Sequence, residues 1–121
     1  NPVAFTTVAL SSFSAVGTAG GAVVSEPQVW QELWGRHVAN VMPPPAVPAV
    51  DFAREQVLAY FAGSLPSGCD GATIVGVADQ PALRVLLSRS PGTGACPAVV
   101  ATPAHFVRVP AAPLRVEFRV E

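Results

Sequence analysis

The chain has 121 residues, half of them apolar and only 12% charged, with 10 glycines and 13 prolines. That length supports one modest core, and that mix suits short strands joined by many turns better than an all-helical fold. Seven basic residues, all arginine, stand against eight acidic ones for a formal net charge of −1, which leaves no positive excess for phosphates and excludes nucleic acid as an expected partner.

No apolar run approaches the roughly eighteen residues of a membrane span, and the start of the chain lacks a basic flank followed by an unbroken apolar segment. The chain begins at Asn1 rather than Met, as expected of a mature or trimmed fragment.

In chain order, "PVAFTTVALSSF" reads as a strand and "SSFSAVGTAGG" as a loop of small residues. After "AVV" comes "SEPQVWQELWGRH", where Ser25 can cap the helix start, Gln28 lies three residues on as in a capping box, and Pro27 falls in the first turn. A helix is expected from about Glu26 to His37. Val29, Trp30, Leu33, Trp34 and His37 recur at helical spacing as an apolar face able to cover a sheet, with the two tryptophans as its main anchors. His37 closes the helix as a residue whose positive charge suits the negative end of the dipole.

"VANVMPPPAVPAV" has four prolines in six positions, which forbids a regular helix and makes it an extended connector within the domain. From Glu55 onward five strand signals follow, "QVLAYFAGS", "ATIVGVAD", "LRVLLSRS", "PAVVATPAHFVRVP" and "LRVEFRVE", each bounded by turn residues. So many short strands at close spacing predict an antiparallel meander. The last alternates most strictly, with Leu114, Val116, Phe118 and Val120 on one face and Arg115, Glu117, Arg119 and Glu121 on a wet one.

His37 and His105 stand far apart, without the spacing of a helical metal pair or a Cys-x-x-Cys unit beside them, so no metal site is expected. His105, in an apolar strand after Pro103, reads as a packed or edge-exposed side chain. A triad assembled from Ser67, Cys69, His105 and Asp51 is a paper construction, since no nucleophile elbow, phosphate loop or acid/base pair of carboxylates accompanies it. No cofactor motif is present. Asp51 has a specific structural role, accepting from backbone amides two or three residues on and fixing the turn after the connector.

Cys69 and Cys96 lie in the turns "SGCDG" and "TGACP", at one end of the hairpin predicted from "ATIVGVAD" and "LRVLLSRS". A disulfide between them is expected. Closing a loop of about 28 residues would contribute roughly 3.5 kcal/mol in the chain-entropy model, and such a bridge suits an oxidising compartment.

Three motifs in order, "VVSEPQVWQELW", "PAVDFAREQVLAYFAGSLPSG" and "TPAHFVRVP", resemble the PrcB family, the C-terminal domain of the protease complex subunit PrcB. The resemblance runs from about Val23 to Pro110. It implies a bacterial cell-envelope, periplasmic or secreted protein, an accessory subunit that binds a subtilisin-like surface protease or its precursor and carries no catalytic residue of its own. Where the family has tyrosines, after the Gly-Gly turn and before the late histidine, this chain has Ala72 and Ala104. Cys69 and Asp70 look inserted into that Gly-Gly turn, which strengthens the disulfide expectation.

The expectation is therefore a single mainly-β domain over residues 1–121, an antiparallel β-sandwich or partly open barrel of about seven strands with one helix packed against it. Its expected work is non-enzymatic protein binding outside the cytoplasm, with Trp30, Trp34, His105 and Phe106 as candidate partner contacts. The alternatives are a small hydrolase using His105 and a small-ligand-binding β domain.

Overall fold

The computed structural model describes residues 2–66, 71–78, 83–90, 99–111 and 116–120. Seven strands and one helix lie among them: β1 (Thr6–Ser11), β2 (Gly20–Val24), α1 (Pro27–His37), β3 (Glu55–Phe61), β4 (Gly71–Ala78), β5 (Leu83–Ser90), β6 (Ala104–Pro110) and β7 (Val116–Val120). They form a four-stranded sheet in the order β1-β6-β3-β2 and a three-stranded sheet in the order β4-β5-β7. The expected mainly-β sandwich with one packed helix is what forms.

The meander is not. After the β4–β5 hairpin the chain crosses to the other sheet, lays β6 between β1 and β3, and returns as β7, parallel to β5 with Leu83 opposite Val116. Two parallel neighbours cannot be joined by a tight hairpin, so a crossover is obligatory. Here the crossover is a whole strand of the opposite sheet.

Placing β6 beside β3 makes these two the central strands, and both of their faces are buried. Leu58, Tyr60, Val107 and Val109 point into the core between the sheets with Ile74, Val77 and Val85. Val57, Ala59, Phe61, Ala104 and Phe106 point the other way and are covered by α1. The result is three layers. "QVLAY" and "HFV" are near-continuous apolar runs because strands buried on both faces have no wet side to alternate with.

Helix α1 lies on its sheet through Trp30, Trp34 and His37, which are buried. Phe106 sits at the centre of that contact, with ring centroids 5.6 Å from Trp30, 5.7 Å from Trp34, 5.6 Å from Phe61 and 4.7 Å from His37. The proline-rich connector passes over the tryptophans and satisfies them: Trp30 Nε1 donates to the carbonyl of Pro48 at 2.9 Å and Trp34 Nε1 to that of Pro45 at 3.0 Å. A segment short of ladder donors thus uses its carbonyls to let two indoles be buried without an orphaned N–H.

Two helix details correct the sequence reading. The N-cap is Glu26, not Ser25, and it makes no side-chain capping bond. Pro27, at the first helical position, removes one amide that would otherwise lack an intrahelical partner. Val29 lies off the buried face and is 44% exposed.

Beyond β3 the chain turns at Gly63, whose φ of +77° is left-handed backbone open to glycine at little cost. Asp51 shapes the entry to β3 as expected, its Oδ1 accepting from the Ala53 amide at 3.1 Å and its carbonyl from the Arg54 and Glu55 amides. In β7, Val116 and Phe118 pack on the inter-sheet core, and Arg119 and Glu117 pair at 3.5 Å on the other face.

Candidate functional site

The four residues expected to meet a partner are interior ones. Trp30, Trp34, His105 and Phe106 are all buried, because the strand that carries the last two is central rather than peripheral and α1 lies flat on its sheet. They pack inside the fold.

His105 has a defined structural task. Its Nδ1 accepts the backbone N–H of Ile74 at 2.9 Å, so the neutral ring must carry its proton on Nε2, which donates to Thr7 Oγ1 at 2.9 Å. One side chain on β6 thereby ties β4 of the opposite sheet to β1 of its own. Burial holds its pKa below the ordinary 6.5. Both nitrogens are committed, and Asp51 is occupied in its own turn with Arg54 at 3.8 Å. Ser67, Cys69, Asp70 and Cys96 lie outside the described residues, as does the expected disulfide.

His37 departs from the expectation of a cation at the helix end. It is buried, its Nδ1 hydrogen-bonds Ser14 Oγ at 2.7 Å, Trp34 and Phe106 stand against its ring, and burial pushes its pKa down. The desolvation cost of a charge outweighs the dipole's preference for one. Ser14 is buried too, with its oxygen also accepting from the Val16 amide. The pair fastens the end of α1 to residues 14–16, an attachment that Ala15 N–H completes by donating to the His37 carbonyl.

Among the described residues no group of three or more His, Cys, Asp or Glu side chains comes together, and no helix is long and apolar enough to cross a membrane. Among the described residues there is an accessible cleft of about 150 Å³ between β2 and α1, lined by Ala22, Val23, Val24, Val29, Leu33 and the oppositely charged Glu32 and Arg36. Val29, Glu32, Leu33 and Arg36 are spaced i, i+3, i+4 and i+7, one stripe of the helix. Two of its members, Val29 and Leu33, were visible in the sequence on the predicted apolar face. That the stripe borders a sheet edge was not, because nothing local says β2 is outermost.

The sheet edges differ sharply in how they are protected. On the β1 and β4 side, Val3 N–H donates to the Val77 carbonyl at 2.7 Å, Pro2 bridges Ala78, and the Ile74 N–H is taken by His105. Both ladders there are irregular, with register shifts between Thr7 and Ala9 and between Ile74 and Gly76. On β7, charged Glu117 and Arg119 flank Phe118. On β2, which pairs only with β3 among the described residues, there is neither charge, proline nor register shift. Native sheets normally guard their edges with such devices. β2 alone among these edges lacks them, and Val23 on it is 41% exposed.

Comparison with known proteins adds no relative: no family model, curated protein or solved structure matches the chain.

Proposed function

We propose that this chain is a non-enzymatic, protein-binding accessory module of a bacterial envelope or secreted complex, engaging its partner through the β2 edge and the adjoining stripe of α1. The β2 edge, unguarded among the described residues, carries the reading. An exposed row of backbone donors and acceptors beside an apolar wall is the setting in which an incoming strand adds to a sheet, with main-chain hydrogen bonds for affinity and alternate side chains for specificity.

The resemblance to the PrcB family supplies the compartment and the kind of complex, with a subtilisin-like surface protease or its precursor as the partner class. Ala72 and Ala104, where that family has tyrosine, are buried in the two cores, so this chain's contact surface is not built from those positions. A hydrolase using His105 would need a free ring nitrogen, and both are engaged. The cleft between β2 and α1, at about 150 Å³, is smaller than the roughly 300–1,000 Å³ common for small-ligand pockets.

The test is capture from a native envelope fraction by the wild-type domain and by Val23→Lys, which places a charge on the edge without touching the core. Retention of a protease or its precursor by wild type, lost in the variant, is the expected result. Equal capture by both would remove the edge from the account. Hydrolysis of a peptide or ester panel by wild type, abolished in a folded His105→Ala variant, would overturn the non-enzymatic reading.

A further inference from the structure

We infer that in the purified protein the β2 edge is occupied by a second copy of this chain, docked by pairing of β2 with β2 across a two-fold axis. The inference rests on the reading of that edge as a protein contact, and it names the occupant when no other protein competes.

An antiparallel strand pair is the arrangement a two-fold axis perpendicular to the sheet produces, and the contact is then isologous, the same patch on both copies. The two four-stranded sheets become one eight-stranded sheet in the order β1-β6-β3-β2 followed by its reverse. Both α1 helices lie on the same face of it, antiparallel and facing each other over the seam. No new edge is created, so the assembly closes at two copies.

The side chains beside the seam are self-complementary under that operation. The stripe bordering the cleft carries two apolar residues, Val29 and Leu33, and two of opposite charge, Glu32 and Arg36. With the axis level with position 34, reversing the helix direction brings the acid of one copy towards the base of the other, twice over, and sets Leu33 beside its own equivalent. Within one copy the two charges are four residues apart with the acid first, the favoured order for a helical pair, yet they form no ion pair with each other or with another described residue. A foreign strand would have to bring both a base and an acid at matching spacing, whereas a second copy carries them already. The association would also cover Val23 and Val29, two of the exposed large apolar residues.

Sedimentation of the purified protein from low to high micromolar concentration tests this. Wild type is expected to pass from monomer to dimer. Glu32→Arg leaves only bases on the stripe and Arg36→Glu only acids, so each variant alone is expected to lose the dimer while keeping its circular dichroism spectrum. Mixing these two variants should restore association as a heterodimer, and the double variant E32R/R36E should restore the homodimer. Val23→Lys is expected to abolish it. A wild type that stays monomeric throughout, a dimer indifferent to the charge reversals, or a mixture that fails to associate would overturn the inference. Monomeric wild type with capture from envelope that depends on Val23 would do so while leaving the proposed function intact. A charge-dependent dimer that captures nothing would support the self-association and remove the heterologous partner.

Discussion

Towards α1, strands β3 and β6 meet rings: Trp30, Trp34 and His37 gather with Phe61 around Phe106. Towards the second sheet they meet mostly aliphatic groups, with Tyr60 and Phe118 as a stacked pair at 6.4 Å. The helix-side core is closed by α1 and the connector, which lie close to one another in sequence. The inter-sheet core is closed by strands that reach it from far along the chain. Each contains one buried neutral histidine that fastens a layer, His37 to residues 14–16 and His105 to β4. Two cores built on the same strands are thus specified differently, one by local pattern and one by long-range crossover.

The largest effect is expected at the centre of the ring cluster. Phe106→Ala should lower stability by about 3–5 kcal/mol, with Trp34→Ala close behind because it also forfeits the bond to Pro45. Denaturant unfolding checks both. A loss below about 1 kcal/mol would mean that α1 is not the clamp on this face.

On the other face, among the described glycines, Gly21 is the most tightly approached: an added Cβ would lie 2.3 Å from the Phe118 ring. Gly21→Ala should therefore cost about 1–3 kcal/mol as an overpacked contact. Phe118→Leu should recover part of that loss in the double variant, and strictly additive losses would mean that the two positions do not touch.

Acid should loosen both faces by smaller increments. The folded pKa of each histidine lies below the ordinary 6.5, so the unfolded chain binds more protons once pH falls under that value. Stability from this source is complete above 6.5 and declines as pH drops below it. Replacing either histidine by Leu should flatten the decline, at a fixed cost of about 1–3 kcal/mol for His105 because the Ile74 amide loses its acceptor. A wild-type stability that rises on acidification through this range would contradict the neutral assignment.

The sequence makes the helix-side core legible. Trp30 and Trp34 fall on one helical face, Pro27 marks its first turn, and Asp51 announces the turn before β3. The strand segments are legible too, because each is bounded by turn residues. What pairs with what is not. "LRVEFRVE" displays its alternation but not that it lies parallel to β5, since a pairing partner far along the chain leaves no local trace. His105 likewise looks like any histidine in an apolar strand, and only the placement of β4 across from it reveals the Ile74 amide it accepts. The β2 edge escaped for the same reason: "GGAVV" states a strand, and its outermost place follows from topology.

Both buried histidines join layers of the fold, and at His105 that role is most directly measured. Imidazole nitrogen NMR of the folded protein should find its Nδ1 unprotonated and hydrogen-bonded to the Ile74 amide, with the proton on Nε2. That state should persist as pH falls below 6.5, because burial holds the folded pKa under that value. A ring that titrates freely near 6.5 in the intact fold, with no coupling to the Ile74 amide, would contradict it and return His105 to the list of groups able to exchange protons with a substrate.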